Sequence, residues 1–157
     1  MSTLLIEGGR PLSGSVEVEG NKNAALPLLA ACLLTTEECI LHNVPRISDV
    51  EVMARLLLDL GAEVEGIGSP TLRVRCPAVV KDEPDGALVG RLRGSVLLLG
   101  PLLARRGRAR LAPPGGDFPA RRTISTHLEA LVSMGARVVD GPGHELEVPD
   151  GLKPTSI

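Results

Sequence analysis

Hydrophobic residues between positions 50 and 60 recur at the spacing of an amphipathic helix. The apolar face of this predicted helix is formed by Val50, Met53, Ala54, Leu57 and Leu60. Charged residues, such as Arg55 and Asp59, fall off that face. Ser48 is followed three positions later by Glu51, and this spacing predicts a capping box at the start of the helix.

Two other stretches, residues 24–34 and 96–104, are apolar on nearly every side. Such a composition predicts helices that are buried all round. Alternating apolar and polar residues in "GSVEVEG" and "TLRVRCP" predict short strands in sheets with one solvated face. The pattern as a whole indicates an α/β protein with helices inside and small sheets outside.

An internal repeat organises these elements. The segment "LLLDLGAEVEGIGSPTLRV" is echoed by "EALVSMGARVVDGPGHELEV", and the separation of Pro27 and Gly61 equals that of Pro101 and Gly135. Each copy reads as a helix, a Gly-Ala stop, a strand, a glycine-rich turn and a second strand, which gives a unit of about seventy residues. We expect units near residues 21–84 and 85–150, with a further unit outside this chain.

Composition narrows the class of protein. The chain has 157 residues, 43% of them apolar, with a single aromatic residue and a net charge of −2, so the core is aliphatic and there is no general attraction to nucleic acid or membranes. The N-terminus lacks a basic leader followed by an apolar region. The three cysteines lack metal-ligand spacing. We expect a cytoplasmic protein with reduced, packing cysteines and neither a metal nor a cofactor.

Lys22 precedes the first apolar helix in "EGNKNAALPLLAACLL", where a cation is electrostatically unfavourable. One interpretation is an anion site formed by Lys22 and free backbone N–H groups; the alternative is that Lys22 points into solvent. Arg93 occupies nearly the same place in the second repeat. This equivalence favours one basic pocket, suited to phosphate, at the mouths of both helices.

A second polar stretch, "LAPPGGDFPARRTISTH", combines a loop signal with a carboxylate, arginines and hydroxyls near a helix start. Asp117 follows the two glycines, and Arg121 and Arg122 come next. This combination suits a second docking point for an anion. Ordinary caps and surface ion pairs are the alternative interpretation.

These segments resemble the UDP-N-acetylglucosamine enolpyruvyl transferases. "GSVEVEGNKNAALPLLAA" resembles the opening of that family, "LRGSVLLLGPLLAR" its Arg-x-Ser helix, and "PPGGD" its catalytic Pro-Gly-Gly-Cys loop. The resemblance implies an inside-out α/β barrel in which two lobes each contain three repeats, with buried helices and outer sheets. This chain then covers about two repeats of the first lobe, while residues 1–20 supply N-terminal strands that belong with the absent second lobe.

The resemblance also implies a reaction. The family transfers the enolpyruvyl group of phosphoenolpyruvate to the 3′-hydroxyl of UDP-N-acetylglucosamine, and phosphate is released in a step of peptidoglycan synthesis. By resemblance, Lys22 and Asp117 are catalytic and Lys22 also contacts phosphoenolpyruvate. The remaining substrate-binding residues are Asn23, Arg93, Arg122, Thr123, Ile124, Ser125 and Thr126.

Asp117 stands where most of the family carries cysteine. An aspartic acid donates a proton only while protonated, and its usual pKa is about 3.9. Loop closure over an anionic substrate raises that pKa, which makes an acid role feasible. Because a carboxylate is a weaker nucleophile than a thiolate, we expect insensitivity to fosfomycin, which alkylates the family's cysteine.

The loop departs from the family pattern Ile-Gly-x-Arg-Pro-x-Asp-x-His. Here it reads "FPARRTISTH", which keeps Arg122 and His127 but places Thr123 at the proline and Ser125 at the aspartate. A non-catalytic or divergent paralogue that binds a sugar nucleotide or another acceptor is therefore the alternative. His127 reads more readily as a capping or packing residue than as a ligand contact.

A third reading is a polyanion binder that uses Arg105, Arg106, Arg108 and Arg110. The negative net charge and the near absence of aromatic residues oppose it. We also expect the chain alone to lack turnover, because the resemblance places the general base in the other lobe. Apolar edges meant for missing parts favour self-association.

Overall fold

Two antiparallel sheets of three strands each appear in a computed structural model that describes residues 3–9, 11–115, 124–139 and 144–156. The first sheet has the order β1-β3-β2, with β1 at Cys39–His42, β2 at Glu63–Glu65 and β3 at Thr71–Arg75. The second has the order β4-β6-β5, with β4 at Arg108–Leu111, β5 at Arg137–Val139 and β6 at His144–Glu147. In both sheets the third strand in the chain lies between the first and the second, as expected for an internal repeat.

Five α-helices accompany the sheets in the described ranges. They are α1 (Lys22–Ala31), α2 (Ser48–Asp59), α3 (Gly86–Val89), α4 (Leu99–Arg106) and α5 (Ser125–Ser133). A 3-10 turn at Cys32–Leu34 extends α1, and a 3-10 helix at Arg93–Leu98 leads into α4. Within these ranges, each helix is too short or too polar to traverse a lipid bilayer.

The predicted Gly-Ala stops are confirmed in both repeats. Gly61 and Gly135 have φ angles of 99° and 103°, in the left-handed region that glycine adopts at little cost. After α2, the N–H of Ala62 donates to Leu57 O at 2.9 Å, and after α5 that of Ala136 donates to Leu131 O at 3.0 Å. These are the long hydrogen bonds of a Schellman motif, which ends a helix and turns the chain into the next strand.

The predicted apolar face of α2 is buried, as each of its five residues is at most 4% exposed. The prediction of a capping box formed by Ser48 and Glu51 is wrong. The cap position is Ile47, whose carbonyl oxygen accepts hydrogen bonds from the N–H groups of Val50 and Glu51 at 3.1 and 3.2 Å. Since Ser48 already lies in the first helical turn, its spacing to Glu51 does not span the cap.

The first apolar helix is not buried all round. Ala25, Leu26, Leu29 and Ala30 are buried, but Leu28 on the other side of α1 is 52% exposed. The buried side packs against α2 and the 3-10 helix at residues 93–98, whereas Leu28 lines a pocket with Ile40 and His42 of β1 and stays half exposed. The prediction failed because an apolar composition reveals neither how many neighbours a helix has nor where they are.

The predicted strand in "GSVEVEG" is absent from the described residues. Residues 11–20 have no regular secondary structure, and Val16 and Val18 are 91% and 83% exposed. Alternation produces an apolar face, but a strand also needs a hydrogen-bonded neighbour. The predicted strand in "TLRVRCP" has two such neighbours and is β3.

Candidate functional site

A pocket of about 580 Å³ lies where α1 and α2 begin, beside the 3-10 helix at residues 93–98 and α5. Its polar lining residues in the described ranges are Lys22, Asn23, Asp49, Arg91, Arg93 and His127. Both repeats therefore contribute to one cavity, and the two cations that the sequence places at equivalent helix mouths line it together.

The start of α1 presents side chains rather than free amides to this pocket. Asn21 caps the helix: its Oδ1 accepts from the N–H of Asn23 at 2.7 Å, and its carbonyl oxygen accepts from those of Ala24 and Ala25 at 3.2 and 3.0 Å. The expectation of free backbone N–H groups is therefore wrong for these three amides. Any anion here is held chiefly by side chains.

Lys22 does not simply point into solvent, because its ammonium group forms a salt bridge with the carboxylate of Asp49. Asp49 lies in the first turn of α2, where a negative charge is favourable. The pair explains how a cation is tolerated at the N-terminus of α1. It also leaves the Lys22 side chain half exposed, at 50%, on the pocket wall.

Arg93 is brought to the pocket by a close approach of the two repeats. A Cβ on Gly94 would lie 2.9 Å from Leu26 Cδ1, so glycine allows the 3-10 helix to pack directly on α1. The buried Ser95 hydroxyl donates to Leu92 O at 2.6 Å and fixes the turn that carries Arg93. Gly94 and Ser95 thus help to fix the backbone turn that carries Arg93.

The loop that begins with "PPGGD", here called the glycine loop, is anchored through Gly115 to residues just before Arg91 and Arg93. The N–H of Gly115 donates to Val89 O at 3.1 Å, and a Cβ on Gly115 would lie 1.5 Å from Gly90 O. An equivalent contact occurs in the first repeat, where a Cβ on Gly20 would lie 1.7 Å from Asn43 O. Asp117, Arg122 and Thr123 lie outside the described residues.

The other predicted binding residues are at the start of α5. The Ile124 side chain is 6% exposed and belongs to the hydrophobic core, whereas Ser125 and Thr126 are exposed in the first turn. His127 is exposed and lines the pocket, so its interpretation as a packing residue is wrong. Of the predicted site residues, the structure brings Lys22, Asn23 and Arg93 together in the pocket.

Sequence reasoning missed Asp49 and Arg91. Arg91 had a visible signal, since it lies two positions before Arg93 in "GRLRG". Asp49 reads as an ordinary acidic residue in a first helical turn, and only the tertiary structure places it opposite Lys22. With Asp49 balancing Lys22, Arg91 and Arg93 give the described lining a net positive charge.

The arginine cluster considered for polyanion binding is largely engaged within the chain. Arg105 donates to four backbone carbonyl oxygens. Arg108 forms a salt bridge with Glu145, and Arg110 forms one with Glu83 at 3.4 Å. Three of the four arginines therefore have structural partners, which removes most of the support for that reading.

Comparison with known proteins places the chain among enolpyruvyl transferases. The family profile described as EPSP synthase (3-phosphoshikimate 1-carboxyvinyltransferase) matches residues 6–152. A protein of Solibacter usitatus named UDP-N-acetylglucosamine 1-carboxyvinyltransferase is 45% identical over 98% of this chain and 37% of its own length. One of the same name from Anaeromyxobacter sp. (strain K) is 50% identical over 88% of this chain and 33% of its own length.

Solved structures agree on the fold. The enolpyruvyl transferase NikO from Streptomyces tendae matches with a TM-score of 0.76 and 27% identity, over 94% of this chain and 32% of its own. EPSP synthase from Acinetobacter baumannii matches with a TM-score of 0.62 at 16% identity, over 90% of this chain and 33% of its own. The chain thus spans about a third of the length of the curated relatives it matches. Because the family profile covers nearly all of its residues and the fold agrees, the chain belongs to the EPSP synthase (3-phosphoshikimate 1-carboxyvinyltransferase) family.

Proposed function

We propose that this chain supplies part of the active site that transfers the enolpyruvyl group of phosphoenolpyruvate to the 3′-hydroxyl of UDP-N-acetylglucosamine, with release of phosphate. The observation that carries the proposal is the shared pocket lined by Lys22 and Arg93, which come from equivalent places in two repeats. The names of the similar relatives give the acceptor and the transferred carboxyvinyl group, and phosphoenolpyruvate as the donor follows from the resemblance.

Phosphoenolpyruvate is a small, highly charged anion, and the positive lining suits it. We assign Lys22 and Arg93 to its phosphate and carboxylate charges, since ammonium and guanidinium groups form strong charge-assisted hydrogen bonds. Asn23 offers an amide that orients either the anion or the sugar hydroxyl. Lys22 also stabilises the charge that develops as phosphate leaves, and it is catalytic in that sense.

Asp117 is assigned the proton transfers. The methylene carbon of phosphoenolpyruvate gains a proton when the acceptor oxygen attacks, and it loses one when the tetrahedral intermediate expels phosphate. What supports this assignment is the contact of Gly115 with Gly90, since Gly90 immediately precedes Arg91, which lines the pocket. The nucleotide of the acceptor is assigned to residues 122–126, namely Arg122, Thr123, Ile124, Ser125 and Thr126.

The architecture of the complete protein is assigned from the resemblance to the family. We assign residues 21–84 and 85–150 to two of three repeats of one lobe, which the missing repeat closes into an inside-out barrel. The exposed apolar side of α1 supports this assignment, because Leu28 and Leu34 are 52% and 53% exposed. Residues 1–20 are assigned to strands completed by the second lobe. The protein then acts in the cytoplasm in cell-wall synthesis, and hence in cell shape and division.

Phosphate release from phosphoenolpyruvate by the complete protein tests the function. We expect release that requires UDP-N-acetylglucosamine and falls by at least about a hundredfold in an Asp117→Ala variant, within the range for general acid–base groups. Asp150→Ala, which removes an exposed carboxylate, serves as the matched control and should retain full activity. Fosfomycin should not inactivate the enzyme, and the 157-residue chain alone should not turn over.

Two outcomes would contradict this proposal. Release that persists in Asp117→Ala would remove that residue from the chemistry. The absence of release by the folded complete protein would instead favour a divergent paralogue with another acceptor. That alternative is supported by Ser125, which begins α5 where the family pattern carries an aspartate.

A further inference from the structure

Asp49 faces the pocket from α2 and contacts the ammonium group of Lys22. It supplies the one carboxylate among the described residues that line this pocket. Its side chain is 30% exposed, compared with 50% for Lys22, so it lies deeper in the wall than its partner. Asp49 thus places a single negative charge in a pocket that Lys22, Arg91 and Arg93 also line.

The rigidity of the two partners differs. Asp49 has a short side chain, and its helix is fixed by Val50 and Met53, which are 4% and 0% exposed in the core that α2 shares with α1. Lys22 has a long flexible side chain with a large rotamer entropy. The carboxylate therefore determines where the ammonium group rests, rather than the reverse.

We propose that Asp49 is a positioning residue that holds Lys22 on the pocket wall before and during anion binding. The inference rests on the proposed function, because it assigns a purpose to the position of Lys22. It has two opposite consequences. The negative charge of Asp49 weakens ground-state binding of the anion, while its hold on Lys22 keeps the ammonium group where the departing phosphate needs it.

Kinetics of the complete protein separate this role from a structural one. Asp49→Asn should bind inorganic phosphate and phosphoenolpyruvate roughly threefold to tenfold more tightly, because a repulsive charge is removed. Its kcat should fall about tenfold to a hundredfold, because Lys22 loses its fixed position. Asp49→Glu keeps the charge and should recover most of the turnover.

Glu51→Gln is the matched control. Glu51 is also a carboxylate in the first turn of α2, but it lies 4.0 Å from Arg55 and outside the pocket lining. It should leave both kinetic constants unchanged. If Asp49→Asn weakens anion binding together with kcat, or changes neither, the positioning role is overturned.

The reactivity of Lys22 provides a readout that does not depend on turnover. The chain contains only Lys22, Lys81 and Lys153, and Lys81 is paired with Asp59 at 2.6 Å. In Asp49→Asn, acylation of Lys22, followed by peptide mass spectrometry, should accelerate severalfold, while Lys81 and Lys153 should react as in the wild type. Unchanged labelling of Lys22 would overturn the pairing. If the wild type lacks turnover, the proposed function fails, yet this labelling still decides whether Asp49 holds Lys22.

Discussion

At the scale of single residues, the absence of a side chain at Gly115 is what lets the glycine loop start beside the arginines. Its hypothetical Cβ would overlap the backbone of Gly90, which cannot rotate away as a flexible side chain can. We expect Gly115→Ala to destabilise the complete protein by roughly 1–3 kcal/mol, as overpacking does, and to lower phosphate release through a displaced loop root. Urea unfolding and the release assay measure the two effects.

Gly100→Ala is the control for this substitution. Gly100 lies within α4, and a Cβ there would meet nothing within 4 Å. Alanine gains helix propensity, but its Cβ is disfavoured before Pro101, so the stability should change by less than about 1 kcal/mol. A stable and fully active Gly115→Ala variant would show that the loop root does not depend on this close approach.

The cysteines illustrate how a residue-scale prediction succeeds. Cys32 and Cys76 are free, buried and packed in the core, as their lack of metal-ligand spacing suggested. Burial, with Cys39 as a further contribution, raises the pKa of the Cys32 thiol to about 12. A thiol that stays protonated at neutral pH packs as a small apolar group rather than as a nucleophile.

At the scale of elements, Arg105 connects the second repeat to the first. From the last turn of α4, its guanidinium group donates to Leu33 O at 2.8 Å and Thr35 O at 3.3 Å, and also to Cys76 O and Pro77 O at 3.3 and 3.1 Å. One planar group thus satisfies carbonyl groups at the ends of two separate elements of the first repeat.

Arg105→Ala should lower the free energy of unfolding by roughly 1.5–3 kcal/mol, the range for hydrogen bonds to charged groups. Arg105→Lys should recover only part of this loss, since one ammonium group cannot reproduce the planar fork. The neighbouring Arg106 is exposed, and Arg106→Ala should change the stability by less than about 0.5 kcal/mol. Equal losses at both positions in urea unfolding would contradict a connecting role for Arg105.

Elements defined by local signals could be predicted from the sequence. The face of α2, the strand β3 and the Gly-Ala stops each depend on residues close together in the chain. The exposed side of α1 and the 3-10 start of the helix at Arg93 could not, because both depend on a neighbouring element. Gly94 shows this clearly, since a Cβ there would press on the side chain of Leu26, which belongs to another element.

The residues of the candidate site also fall into those that could be predicted and those that could not. Lys22 and Arg93 could be predicted, because the repeat relates them and a lysine at a helix start is unusual. Asp49 could not, because its meaning comes from an ion pair between α1 and α2. Asp117, Arg122 and Thr123 remain assignments from resemblance, since they lie outside the described residues.

At the scale of the whole molecule, many large apolar side chains are exposed, and clustered exposure of this kind favours association. Six large apolar residues near the N-terminus are at least 83% exposed: Leu4, Leu5, Ile6, Leu12, Val16 and Val18. The half-exposed Leu28 of α1 adds to this surface. In the proposed architecture, these are the surfaces that the rest of the protein covers.

The 157-residue chain should therefore self-associate in a concentration-dependent way, as measured by sedimentation velocity. Lysine substitutions at Val16 and Val18 should weaken the association because they remove apolar surface. Lysine substitutions at Ser13 and Ser15 in the same exposed segment add the same charge without that loss, and they should have a smaller effect. A monomer at all concentrations, or equal effects of the two pairs, would contradict this expectation.

The backbone contacts at Gly20 and Gly115 carry an evolutionary consequence. In the first repeat Gly20 contacts the backbone of Asn43, so only one of the two residues lacks a side chain. In the second repeat Gly115 contacts Gly90, so both do. A Cβ on Gly90 would lie 3.3 Å from Gly86 O, so alanine at position 90 requires a shift of only a few tenths of an ångström. At position 115, by contrast, any Cβ would overlap the backbone of Gly90. Related sequences should therefore keep glycine at position 115 more strictly than at position 90.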